Sequence, residues 1–285
     1  MRIGAHVSAS GGLDKVIDRA VEIGAEAIQI FGSAPQSWRY KEAPEEQVAS
    51  FKEKARAVDI QPVYLHAIYL INLGTPVAEN LEKGVDSLVK HMTLAARLAA
   101  AGVIFHAGSH KGAGYEGIFQ QTVDAIHRVL AASPEGPWLI IENSAGMGQH
   151  IGARFEEIGR ILVAVDSPRV KVCLDTQHAY AAGYNLADAR GIQEALDEFD
   201  REIGLANLVV VHANDSKSPH QSGVDRHENI GEGHIGVAGF EVIMGHPVFS
   251  DLPLLLEVPG HEGQGPDKPN VDALKQIRDR LGLAA

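Results

Sequence analysis

A single cysteine, Cys173, in 285 residues excludes an internal disulfide framework and any cysteine-rich zinc motif. Bound metal would have to be held by His, Asp and Glu, and the lack of disulfide-forming thiols points to the cytoplasm. Long apolar runs are missing too. No stretch approaches the roughly 18 apolar residues of a membrane span, and the opening MRIGAHVSAS has no apolar core of signal-peptide length. The chain is therefore expected to be cytoplasmic, unprocessed and without a membrane partner. Positive charge is also scarce. Against 37 Asp and Glu stand 25 Lys and Arg, and the net charge of −12 argues against broad electrostatic capture of nucleic acid. No low-complexity tract, solenoid repeat or linker stands out, so residues 1–285 are read as one domain.

What is present is an alternation. Eight short β-branched and apolar runs read as strands: 2–8, 27–32, 62–67, 103–107, 138–143, 170–176, 208–214 and 254–258. Between them lie segments of helical periodicity: 13–23, 45–58, 77–100, 118–131, 155–165, 186–203 and, at the end, 271–281. Only the seventh connection is irregular, rich in Gly, Ser, Asp and His over 212–240, with one short helix expected at 239–244. Strand–helix alternation demands parallel strands with right-handed crossovers. Eight such units in this length fit a closed α/β (β/α)8 TIM barrel better than an open doubly wound sheet.

The chemistry collects at the strand ends. His66, His106, Glu142, Asp175, His212 and Glu257 end the third to eighth strands in turn. In this barrel those ends converge on the face where active sites are built. His178, three residues past Asp175, and the pair Asp225 and His227 in the seventh loop extend the set to five imidazoles and four carboxylates. Any one of them could be an ordinary hydrogen-bonded structural residue. Six consecutive strand ends are another matter, because carboxylates crowded into one mouth repel each other unless cations are there. Nine ligands exceed the four or so that one zinc takes, so two or three metals are implied. The mixed N/O donor set suits zinc, manganese or iron, and five imidazoles favour zinc.

At these segments the chain resembles the endonuclease IV family of apurinic/apyrimidinic endonucleases. The resemblance runs from Ile3-Gly-Ala-His-Val-Ser to Glu257-Val-Pro-Gly, through Tyr69-Leu-Ile-Asn-Leu, Phe105-His-Ala-Gly-Ser-His, Ile141-Glu-Asn-Ser-Ala-Gly, Cys173-Leu-Asp-Thr-Gln-His, His212-Ala-Asn-Asp-Ser-Lys and Asp225-Arg-His. It implies a trinuclear Zn2+ site, with Mn2+ or Fe2+ as alternatives at some positions. One zinc is held by His66, His106 and Glu142, which bridges to a second held by Asp175, His212 and Glu257; the third is held by His178, Asp225 and His227. Glu142, Asp175 and Glu257 become the catalytic carboxylates, with Glu257 the candidate to orient or deprotonate the attacking water. The implied substrate is double-stranded DNA carrying abasic sites, cut 5′ to the lesion to leave a 3′-hydroxyl, or DNA with blocked 3′ ends, and the implied state is a monomer.

The same resemblance answers the charge objection, since three Zn2+ against four carboxylates leave the mouth formally positive on a negative protein. Phosphate contact would then be local, through the metals and residues such as Lys111, Lys217 and Arg226. Tyr69 and Leu70 match the family's inserting pair. Gln36, in Ser33-Ala-Pro-Gln-Ser-Trp, stands where an inserting arginine is usual and supplies neither its charge nor its stacking plane. The competing reading is a metal-dependent sugar isomerase or epimerase of the same barrel superfamily. Such an enzyme needs one or two metals and has no use for His178, Asp225 and His227. A damage-binding protein with structural zinc is a third reading, against which stands the absence of cysteine ligands.

Overall fold

The computed structural model describes residues 1–284. Eight parallel strands close into a barrel: β1 (Ile3–His6), β2 (Ala27–Phe31), β3 (Val63–His66), β4 (Gly102–Phe105), β5 (Trp138–Glu142), β6 (Val170–Asp175), β7 (Leu208–His212) and β10 (Leu254–Leu256). Each pairs with its predecessor, and β10 closes onto β1 through the register Ile3↔Leu254. The outer ring consists of α1 (Val16–Ile23), α2 (Glu45–Ala57), α3 (Ala78–Leu98), α4 (Gly114–Ala132), α5 (Phe155–Val165), α7 (Ala189–Glu202), α8 (Gly236–Gly245) and α9 (Lys268–Arg280). None of the helices is long and apolar enough to cross a membrane, among the described residues.

The expected barrel is present, with differences at its edges. α4 starts at Gly114, four residues before the expected 118, because the glycines that obscure its periodicity lie on its first turn. α6 (Thr176–Ala182) is an addition to the expected elements: it follows β6 without a break, and Asp175 caps it by accepting from the His178 N–H at 2.8 Å. The irregular seventh connection contains a short antiparallel hairpin, β8 (Asp215–Ser216) and β9 (His227–Glu228).

Strand periodicity positions the site. Ala27, Tyr64, Ile104, Ile140, Cys173, Val210 and Leu255 pack into an apolar cluster separate from the larger one between strands and helices. In each strand the residue two positions on shares the same face. Those residues are Gln29, His66, His106, Glu142, Asp175, His212 and Glu257. The polar layer thus rests on an apolar floor. On β1 the floor position is Gly4, where a Cβ would collide with the carbonyl of Ala27, and two residues on comes His6.

At the opposite end, Glu26 ties the ring together. It accepts from Arg278 at 2.6 and 3.0 Å and from the Ile3 N–H at 2.9 Å, with Lys275 at 3.1 Å. Burial raises its pKa, but Arg278, Ile3 and Lys275 outweigh that and bring it to about 2. A carboxylate depressed in the folded state stabilises above its unfolded pKa and loses that contribution as pH falls through the folded one. Glu26→Gln should lower Tm at pH 7 by roughly 3–6 °C. Melting both proteins from pH 7 downwards should show that gap narrowing below about pH 4.5; a pH-independent gap would rule the carboxylate charge out as its source.

Candidate metal centre

Glu142 occupies the centre. Its side chain is fully buried, and four imidazoles surround it: His66 Nε2 at 3.1 Å and His106 Nε2 at 3.5 Å on one oxygen, His178 Nδ1 at 3.1 Å and His212 Nδ1 at 3.2 Å on the other. Glu257 Oε2 lies 3.2 Å from His212 Nδ1 and Asp175 Oδ2 3.8 Å from the same atom. Asp225 Oδ1 is 3.3 Å from His178 Nε2 and 3.6 Å from His227 Nε2. Their ligand atoms fall into three groups within 4.8 Å of one another: His66–His106–Glu142, Glu142–Asp175–His212–Glu257 and Asp175–His178–His227. Eight of the nine sequence-nominated residues therefore fall within these groups, and Asp225 stands beside the third. One detail differs from the expected sets: the third group takes in Asp175, which also belongs to the second, and Asp225 lies next to it rather than within it.

The hydrogen bonds around this cluster fix which nitrogen each imidazole offers. His66 Nδ1 faces the Ala67 carbonyl at 2.7 Å, His178 Nδ1 the Asn143 carbonyl at 3.0 Å and His227 Nδ1 the Glu257 carbonyl at 3.1 Å. Each can only donate there, so in the neutral ring Nε2 is the nitrogen left with a lone pair, turned toward the acids. Glu142 Oε1, His212 Nδ1 and His227 Nε2 are buried with no hydrogen-bond partner. Lone pairs facing buried carboxylates are repulsive unless a cation sits between them, so the donor set fits divalent metal. Oxygen and imidazole donors without thiolate suit zinc, with manganese and iron next.

Electrostatics agree. Burial raises the pKa of Glu142, but His106 and His212 carry it well below the ordinary carboxylate range. Burial lowers His178, yet Asp175, Asp225 and Glu142 outweigh it and raise the group well above its ordinary value. Without metal the acids are balanced only by protons on imidazoles. His106 is the exception: burial takes it down to about 4, so its nitrogen is free for a ligand at neutral pH.

Supporting residues that the sequence did not single out complete the frame. Asn143 Oδ1 accepts from the Asp175 N–H at 2.7 Å; Asn214 donates to Asp175 Oδ2 at 2.7 Å and accepts from the Glu257 N–H at 2.7 Å. Their signal was available, since each lies one or two positions past a strand-end ligand. Buried Asp215 accepts N–H bonds from Gly231, Gly233, Ile235 and Gly236 at 2.9–3.2 Å, which folds the seventh loop so that Asp225 and His227 reach the cluster. Gly233 is required there, because a Cβ would lie 2.5 Å from Asp215 Oδ1.

The candidate DNA contacts lie around the mouth. Tyr69 is 60 % and Leu70 38 % exposed, and both project from the loop after β3. The Tyr69 ring meets Phe31 edge-on at 5.3 Å, and its N–H donates to the Pro35 carbonyl at 3.0 Å, which fixes exposed Gln36 beside the pair. Arg226 is exposed between two ligands. A groove of about 1470 Å³ opens beside His6 and Phe31, lined by Arg19, Lys41 and Lys268 among others.

Residues 17–281 match the model of a family described as a xylose isomerase-like TIM barrel. A probable endonuclease 4 of Halothermothrix orenii is 41 % identical over 97 % of this chain and 100 % of its own, and one of Methanoculleus marisnigri is 37 % identical over 96 % and 98 %. The crystal structure of endonuclease IV from Thermus thermophilus superposes with a TM-score of 0.87 at 34 % identity, covering 98 % of this chain and 100 % of that one. A D-tagatose 3-epimerase-like protein shares the barrel, with a TM-score of 0.73 at 16 % identity over 99 % and 97 % of the two chains, and that likeness is one of fold alone. Full-length similarity above 30 % identity, over a barrel whose mouth gathers His, Asp and Glu groups that could hold metal, makes this chain a member of the endonuclease IV family.

Proposed function

We propose that this protein hydrolyses the DNA backbone on the 5′ side of abasic sites, leaves a 3′-hydroxyl, and clears blocked 3′ ends, using three zinc ions and acting as a cytoplasmic monomer. The observation that carries this reading is the third ligand group. His178, His227 and Asp225 add donors that a one- or two-metal sugar epimerase does not need. His66, His106 and Glu142 would hold one ion, Asp175, His212, Glu257 and Glu142 the second, and His178, His227 and Asp225 the third, with Asp175 within reach. Bound there, zinc supplies Lewis acidity toward phosphate oxygens and generates a nucleophile from water at neutral pH.

The remaining work falls to side chains. Glu257 keeps one oxygen tied to the barrel wall, and its Oε2, turned inward, is the group to take the proton of the attacking water. That attack breaks the bond from phosphorus to the 3′ oxygen, which takes a proton from solvent to become the 3′-hydroxyl, while the phosphate stays on the abasic sugar. Tyr69 and Leu70 would fill the gap in the base stack, because a nucleotide must leave the helix to reach a barrel mouth. Gln36, held beside them, would hydrogen bond in the same gap, and exposed Arg226 would contact phosphate.

The test is cleavage of a duplex with one synthetic abasic site by zinc-loaded, chelator-stripped and zinc-restored protein. Incision to a 3′-hydroxyl, lost on stripping and regained with zinc, is expected. A fully metallated protein that leaves the duplex intact would overturn the reading.

A further inference from the structure

β1 and β2 contribute no ligand, yet each carries a polar residue at the level of the ligands, His6 and Gln29. Gln29 is completely buried in an otherwise apolar strand, Ala-Ile-Gln-Ile-Phe. A buried carboxamide is costly unless its hydrogen bonds are made. This one makes three. Its Nε2 donates to Glu257 Oε1 at 2.6 Å and to His6 Nδ1 at 2.9 Å, and its Oε1 accepts from His212 Nε2 at 2.8 Å. The carboxylate decides which way round the amide lies. Turned over, the amide oxygen would face Glu257 with no proton between two acceptors. With nitrogen on Glu257, the oxygen can only accept from His212, so the His212 proton sits on Nε2. Nδ1 is left as a lone pair, and it is Nδ1 that faces Glu142 and Glu257 at 3.2 Å without a hydrogen-bond partner.

We infer that Gln29 is a positioning residue for the middle metal group, one amide that selects the ligating tautomer of His212 and turns Oε2 of Glu257 into the cluster. It acts on two ligands at once, 183 and 228 residues distant in sequence. His6 completes the arrangement by accepting the second amide hydrogen, so neither donor of Gln29 is left over. Asparagine is one methylene too short to span these partners, leucine removes all three bonds, and glutamate keeps the acceptor for His212 but opposes a second carboxylate to Glu257.

The inference rests on the metal reading above, and its test separates the two. Gln29→Leu and Gln29→Glu are compared with the parent for zinc retained at a series of chelator-buffered zinc concentrations, for apo-protein melting, and for kcat and KM on the abasic duplex. Loss of hydrogen bonds to metal ligands costs about 10–100-fold in metal affinity or activity. Gln29→Leu is expected to need about 10–100-fold more free zinc to fill one position. Its kcat should fall by a similar factor and KM should change by less than about threefold, with the apo-protein still melting in one cooperative transition. Should leucine prevent folding, Gln29→Glu, of the same size, decides alone through the same zinc series and kcat. Parent-like zinc retention and kcat in the variants, or a change confined to KM, would overturn the positioning role. Failure of the parent itself to retain zinc would overturn the metal reading instead.

Discussion

Glu142→Gln should abolish cleavage, with a loss of roughly 1,000-fold or more in kcat, and should reduce the tightly held metal to the group formed by Asp175, His178 and His227. Glu142 belongs to both other groups, and its two oxygens meet four imidazoles at 3.1–3.5 Å. Glutamine matches its shape, so the packing over the apolar floor is kept, but the amide brings neither the charge nor the second ligating oxygen. The apo-variant should melt lower than the parent, since the imidazoles that hold the carboxylate well below its ordinary range lose their counter-charge. Metal analysis after gel filtration, beside single-turnover cleavage, checks both parts. Full metal content with activity within about tenfold of the parent would show that Glu142 does not bridge.

Glu257→Gln should separate ligation from proton transfer. Its Oε1 is engaged by Gln29 and its backbone N–H by Asn214, so the variant side chain will stay in place. Burial raises the Glu257 pKa, but the His212 imidazole beside it holds it far below the usual carboxylate range, so it is ionised at working pH. An expected fall of about 10²–10⁴ in kcat, the usual range for a general base, with KM unchanged and zinc retained, would mark a proton acceptor. Turnover near that of the parent with full zinc would dispose of the role, and parallel loss of zinc and activity would reduce Glu257 to a ligand.

Much of this was legible in the sequence, for a physical reason. Barrel strands repeat with period two and end on one face, so a ligand residue closing each of six successive apolar runs already implies convergence, whatever the intervening distance. The helix boundaries were less legible where glycines opened a helix, as at Gly114. α6 was hidden because β6 and the helix share Asp175 as last strand residue and cap. Gln29 and His6 were not legible at all as parts of the site. Neither type is diagnostic, and their meaning depends on partners on β7 and β10 that only barrel closure brings near. Asp215 was hidden similarly: it looks like a polar residue in a polar loop until four backbone N–H groups are found turned toward it. The roles of Tyr69, Leu70, Gln36 and Arg226 came from resemblance, and the structure adds their exposure and the bond that ties two of their loops together.

The three ligand groups are not independent compartments, because Glu142 belongs to two of them and Asp175 to two. A cation held by one group would fix the orientation of a carboxylate that its neighbour also uses while drawing on the same negative charge, so adjoining groups would be coupled. A change at Glu142 or Asp175 therefore reaches two groups at once, whereas a change at His66, His106, His212 or His227 is confined to one.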